Sequence, residues 1–381
     1  MNKKITVLEM CSLTWQLMLS SGIGIAAYVA FFSVKQDAWI SIIVSGIIGL
    51  VPLSIYLYLM NYKKELNFFS LNEYLFGKTL GKIINTIIVL VVALCVIIYF
   101  FNLTNFISSQ YLNRTNNILI IVVLLVPVVY LLLQDLKVIG RTTFILFLFS
   151  LVLLFFSIVG LLGQIDLNNI KPIMENNFSN IFITASKLIC YMVFQLILLL
   201  SIPKNEISNN KNFNKSILKT YIFVYIIMTI LFFIIISVLG SNLALIYQYP
   251  EFHVLKRISI GGFIERVEST LSLRWIFYMF TIVVFGLYFI KNYISVTFNI
   301  QNETKIKIIM SFISLIILMF SNWIFKNNTE GNYVLLNELP IILYLTIFLT
   351  IIAMLIKAKT KKNWYSWFLF ILYCEVRKGH Q

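Results

Sequence analysis

The chain has 381 residues, 60% hydrophobic and 12% charged, with a mean hydropathy of +0.91. A soluble domain carries about a quarter charged residues, so this composition excludes an ordinary water-soluble fold and points to lipid as the solvent. The formal charge of +15 is dispersed in short clusters between apolar stretches, which argues against a nucleic-acid-binding face and makes the basic residues topology signals.

A bilayer core about 30 Å thick takes about 20 mostly apolar residues per helix. In chain order such runs fall at 12–34, 38–60, 82–108, 117–134, 141–163, 183–202, 217–239, 268–290, 306–325 and 334–356. The first follows Lys3 and Lys4 but is longer than the roughly 7–15 residues of a signal-peptide core. It is also polar at its centre, so it is expected to stay as a membrane helix. Counting Lys and Arg between the runs, with the N-terminus inside, gives 21 on the cytoplasmic side and 7 outside, with Lys187 and Arg274 near helix ends. The positive-inside rule then places both termini in the cytoplasm.

Ten helices divide into five plus five. An odd number per half inverts the second half in the membrane, as in many secondary transporters. The expected fold class is therefore an all-α integral membrane protein of about ten transmembrane helices, built as a 5+5 inverted repeat. Its single transmembrane domain covers 1–358, with halves at about 10–163 and 180–358, and a basic, apolar tail follows at 359–381. Long connections join the second and third helix of each half, at 61–81 inside and 240–267 outside, and both read as partly helical. In the outer one, Val254, Leu255, Ile258, Phe263, Ile264 and Val267 fall near helical spacing, with Gly261-Gly262 between. That pattern fits either a segment lying on the membrane surface or a lid over a cavity.

Polar groups inside the apolar runs are few. Helix one carries Ser20-Ser21-Gly22-Ile23-Gly24 near its middle. Each glycine costs about 1 kcal/mol in helix propensity, and an unwound backbone there would offer N–H and C=O groups to a carboxylate, an ammonium or a cation. Such irregularity is tolerated only against protein or a water-filled cavity; close helix packing through small residues is the alternative. Helix six has neither Gly nor Pro from 184 to 202, so it shows no sign of the second break that the fold predicts, and Gln195 is the one strongly polar side chain in its middle. Tyr99, Asn102 and Asn105 lie in helix three, and Tyr278 and Thr281 in helix eight. Lys187 is expected to snorkel outward. Asp37, Glu338 and Arg274, at helix ends, are expected to reach water. No Asp or Glu lies in the centre of a predicted helix, which weakens a proton-coupled pump. Cys11, Cys95, Cys190 and Cys374 are too dispersed for a disulfide framework or metal site. Paired carboxylates and phosphate loops are also missing, so no catalytic residue, metal or cofactor is expected.

Several stretches together resemble the B subunit of spore germinant receptors, the endospore germination permease family within the amino acid–polyamine–organocation superfamily. They are Ile258-Ser259-Ile260, Phe263-Ile264-Glu265-Arg266-Val267-Glu268-Ser269 leading into Trp275, Asp37-Ala38-Trp39-Ile40-Ser41, Glu73-Tyr74-Leu75 followed by Leu80-Gly81-Lys82, Asn169-Ile170-Lys171-Pro172-Ile173, and Pro203. Their order runs from about residue 10 to 358. The resemblance implies a ten-helix inverted-repeat transporter fold in the inner membrane of a dormant spore. It also implies a larger A subunit and a lipoprotein C subunit as partners, and a small nutrient germinant, commonly an amino acid, as ligand. Carried over by position, Gly22 and Gly24 match the family's helix-one glycines, Phe194 and Gln195 fall in the pocket region of helix six, and Thr281 in that of helix eight. Where members often carry Gly-x-Glu in helix six, this chain reads Gln195-Leu196-Ile197. The candidate ligand-binding set is thus Ser20, Ser21, Gly22, Ile23, Gly24, Tyr99, Asn102, Phe194, Gln195, Tyr278 and Thr281. An amino acid–cation symporter using the same pocket, and an ion or water conduit within a receptor complex, are the competing functions.

Overall fold

The computed structural model describes residues 4–22, 24–208, 212–258, 267–325 and 327–361. Ile23 of the candidate set, residues 259–266 of the outer loop and the apolar tail 364–374 lie outside the described residues. Seven helical stretches among the described residues are long and apolar enough to cross a membrane.

Helix one is two pieces, α1 (Val7–Gly22) and α2 (Ile25–Val34), separated at Gly24. A tight turn at Lys35–Asp37 leads into α3 (Ala38–Ile48) and α4 (Leu50–Tyr62). The connection at 61–81 does fold as a helix, α5 (Phe68–Phe76), capped by the Asn67 side chain accepting from the Ser70 amide. Then come α6 (Lys78–Gln110), α7 (Asn117–Leu132) and α8 (Leu136–Leu161). Next is α9 (Phe178–Met192), which passes directly into a 3-10 helix at Phe194–Ser201. α10 (Phe213–Ile246) bends at Gly240, and α11 (Pro250–Leu255) and α12 (Glu268–Leu271) precede α13 (Leu273–Thr297) and α14 (Glu303–Phe320). The last helix, Asn328–Lys361, contains π-helical turns at Val334–Glu338 and Tyr344–Phe348. Several helices run a turn or more beyond their hydropathy-based limits, because a helix continues until its end groups find caps rather than stopping where apolar residues do.

Lipid as solvent explains which faces are buried. α1, α9 with its 3-10 extension, and α13 hold the centre, with Trp15, Met18, Tyr191, Phe194, Phe285 and Phe289 fully buried. Outward apolar side chains such as Val123, Val126, Phe155 and Phe312 are each more than 60% exposed. They form the surface that acyl chains would cover. Hydroxyls within the helices donate to carbonyls three or four residues back, as in Thr14 to Met10 (2.8 Å) and Ser157 to Leu153 (2.7 Å). Such local bonds satisfy polar atoms without water. A two-residue parallel pairing, Ile5–Thr6 (β1) with Ile207–Ser208 (β2), ties the start of α1 to the connection after the 3-10 helix.

α5 docks on α13 through a ring cluster in which Phe69 lies 4.7 Å from Phe289 and 5.6 Å from Tyr293, and on α6 through polar contacts. Beneath it Asn72 donates to Asn85 (2.8 Å), and Asn85 donates to the Phe69 carbonyl (3.1 Å). The approach is close enough that a Cβ on Gly81 would sit 2.6 Å from Glu73 Cα. Gly81→Ala should therefore destabilise the purified protein by about 1–3 kcal/mol, the scale of overpacking, despite alanine's better helix propensity. Thermal unfolding in detergent reads this as a lowered midpoint; an unchanged midpoint would contradict the docking.

Candidate functional site

At Gly24 the backbone adopts φ 88°, a left-handed conformation that glycine takes without strain and other residues resist. The turn exposes the first amides of α2, and the Gly24 N–H donates to Glu251 Oε1 at 2.5 Å. Glu251 stands in α11, with Pro250 at the first helical position, and is only 4% exposed. Negative charge at a helix N-terminus is favoured by the helix dipole and its free N–H groups. Burial pushes the Glu251 carboxyl up to about 7, against the opposing pulls of the Gly24 amide and the positive Arg274. Among the described residues its other oxygen, Oε2, has no hydrogen-bond partner.

The second discontinuity lies across from the first. An α-helix would give the Tyr191 carbonyl to the Gln195 amide. Instead that carbonyl accepts from the Gln195 side chain, Nε2, at 2.6 Å and from the Ser21 hydroxyl. The Phe194 carbonyl accepts from Tyr56 (3.2 Å). Side-chain donors inserted into the ladder are a recognised cause of helix breaks, and the chain continues as the tighter 3-10 form. Gln195 thereby becomes a hub. The two Nε2 hydrogens are shared between that carbonyl, the Ser21 hydroxyl and the Tyr99 hydroxyl (2.5 Å), while Oε1 accepts from Ser20 Oγ at 3.1 Å. Ser20, Ser21, Tyr99 and Gln195 are thus joined across helices one, three and six.

Beside the hub is a small apolar cavity lined by Tyr99, Phe194 and Gln195 with Val96, Ile282 and Gly286 among its walls. Phe194 stacks on Phe348 at 5.6 Å and meets Tyr344 edge-on at 5.0 Å. Apolar walls with a few convergent polar groups are the usual lining of a small-molecule site.

The remaining candidates go elsewhere. Asn102 accepts from the Tyr249 hydroxyl (2.8 Å), to which Asn105 also donates (3.1 Å). Tyr249 precedes Pro250, and its ring lies 3.9 Å from the Cβ position of Gly24, so this trio supports the Glu251 side of the break. Thr281 donates to Gln16 Oε1, and Gln16 donates to the Thr143 carbonyl, bridging α13, α1 and α8. Tyr278 is fully buried one turn earlier on α13. Neither reaches the Gln195 hub. Gly22 ends α1 directly before the break.

Two expectations about charge are overturned. Asp37 is fully buried rather than in water, because the connection before α9 folds over it: it accepts from the Met174 amide (2.7 Å) and from Asn176 through its amide (3.0 Å) and side chain (2.9 Å). Arg274 is 2% exposed, with Nη1 donating to the Ser157 hydroxyl and, at 3.4 Å, to the Leu271 carbonyl. Glu338 is exposed, as expected. The sequence reading passed over Glu251; the available signal was Tyr249-Pro250-Glu251, a helix start carrying apolar Phe252, Val254 and Leu255 inward.

A multi-pass helical bundle with its first helix broken at a glycine and its sixth changing pitch beside it defines the transporter-like class of membrane protein. Over 92% of its length the chain superposes on 78% of a manganese transporter of Eremococcus coleocola, solved with an aromatic bis-isothiourea compound, with a TM-score of 0.62 and 12% identity. Over 90% it superposes on 85% of a Na+-coupled sialic acid symporter in a substrate-bound outward-open state, with a TM-score of 0.54 and 11% identity. These likenesses concern the fold. Residues 4–330 match the spore permease family of spore germination proteins, and the chain belongs to that family. A relative is spore germination protein A2 of Bacillus subtilis (strain 168), 24% identical over 297 residues, which are 75% of this chain and 77% of the relative.

Two outcomes follow from this geometry. Gln195→Leu removes the donors that hold Tyr191, Ser21 and Tyr99 and should cost about 1–3 kcal/mol, the scale of leaving buried polar groups unmatched; equal thermal stability of variant and wild type would contradict the hub. The second concerns pH. With its carboxyl raised above the ordinary 4.5 to about 7, Glu251 keeps a proton in the folded state that the unfolded chain has lost. Its contribution is therefore largest below pH 4.5 and is lost as pH rises through about 7. The facing charge is Arg274 from α13, and Tyr249 is the neighbouring titratable group on its own segment; His253, lowered by burial to about 4, titrates below most of this window. Thermal midpoints of wild type and Glu251→Gln should diverge in the wild type's favour as pH falls from about 8 to about 5. Parallel curves would contradict the raised carboxyl.

Proposed function

We propose that this chain is the nutrient-sensing membrane subunit of a spore germinant receptor. In this reading it spans the membrane about ten times as a 5+5 inverted repeat, with both termini in the cytoplasm, and works with a larger A subunit and a lipoprotein C subunit. The nutrient is a small amino acid, and it settles between the broken helix one and helix six. The Gln195 hub carries the proposal: it draws Ser20, Ser21 and Tyr99 together at the wall of an apolar cavity, beside unwound backbone. An amino acid has a charged end for the free amides and a side chain for the cavity. Binding would favour one arrangement of the two broken helices over another, and only such differential affinity can shift a population. The shift would then be passed to the partner subunits.

The transporter-like fold keeps one second reading in view, an amino acid–cation symporter using the same pocket. Purified protein in liposomes distinguishes them. It should bind a labelled amino acid that triggers germination and show no accumulation under a sodium or proton gradient. Robust gradient-driven uptake would overturn the sensing role. Gly22→Leu should abolish the germination response while leaving membrane insertion intact; an unchanged response would remove helix one from the site.

A further inference from the structure

Above about pH 7, where Glu251 is ionised, the break in helix one has an anionic occupant, and it belongs to the chain itself. Glu251 Oε1 takes the Gly24 amide at 2.5 Å, at the N-terminus of the ten-residue α2. That position is where a carboxylate from solution would be held most favourably, because free amides and the positive end of the helix dipole converge there. Glu251 reaches it from a connecting segment rather than from a membrane helix, through the short α11.

The carboxylate is also incompletely held. Among the described residues Oε2 of Glu251 is buried with no hydrogen-bond partner, and so is Nε of Arg274. Both side chains line one small cavity, with Ser157, Val254 and Leu255 among its walls. The two groups, each with an unmatched buried atom, face the same space. Leaving such atoms unmatched is costly for charged groups, so Arg274 offers the carboxylate an alternative partner inside the protein.

We infer that Glu251 is a tethered carboxylate that fills the ligand's anion subsite at Gly24, and that a free carboxylate enters by displacing it toward Arg274. The ligand class is a small carboxylate-bearing molecule. Entry is therefore coupled to movement of Pro250–Leu255, which gives binding a readout outside the membrane helices. The inference deepens the nutrient-sensing reading by naming the group that the nutrient must replace.

Hydrogen–deuterium exchange on the full-length protein tests it, with acetate as the probe and acetamide as its neutral counterpart. In Glu251→Ala the peptide containing Gly24 and the start of α2 should exchange about tenfold faster or more, the scale set by losing a hydrogen bond to a charged group. Acetate should restore its protection and acetamide should not. Unchanged exchange in Glu251→Ala, or equal effects of acetate and acetamide, would overturn the inference. Glu251→Gln, which keeps an oxygen acceptor without the charge, guards against misfolding of the alanine variant. In it, acetate should speed exchange of 250–255 at lower concentration than in wild type, and no acetate effect in either would again overturn the inference. Acetate competition in a protein that binds no nutrient would defeat the sensing role alone; nutrient binding without acetate competition would defeat the displacement alone.

Discussion

Inside a bilayer a backbone amide that leaves its helix must find another partner, because no water is at hand to supply one. That constraint governs the centre of this protein. Helix one leaves its ladder at Gly24, and the Gly24 N–H is taken by Glu251. Across from it helix six leaves its ladder at Tyr191, whose carbonyl is taken by Gln195 Nε2 and the Ser21 hydroxyl. The first break is stabilised by a side chain from a distant segment, and the second by its own Gln195 together with Ser21 of helix one.

The surrounding structure serves these partners. Tyr249 is fixed by Asn102 and Asn105 and brings Pro250 and Glu251 to the break. Tyr99 anchors the Gln195 amide from α6. Gln16 bonds Thr281 and Thr143 and holds α1 between α13 and α8 just before the break. The outer helices contribute little polar chemistry and present apolar side chains to lipid.

Much of this was legible in the residues. Long apolar runs marked the helices, and Gly22 and Gly24 marked a place where helix one could open, although close packing through small residues would use the same pair. Helix six was harder. Its break comes from Gln195 bonding the carbonyl four residues back, and a glutamine in an apolar run looks the same whether it bonds its own helix or a neighbour. Glu251, Asp37 and Arg274 were harder still. Their burial is conferred by partners 227, 137 and 117 positions away in the chain, Gly24, Met174 and Ser157, and no local pattern encodes such pairings. A charged residue near a helix end reads as solvated until the fold covers it.

The most direct test of the account is a structure of the full-length protein in a lipid nanodisc, determined by electron cryomicroscopy with and without the proposed amino acid ligand. The account predicts ligand density between Gly24 and the Gln195 hub, with helix one still broken at Gly24. Density confined to another part of the molecule, or a helix one that runs unbroken through Gly24 in both states, would contradict it.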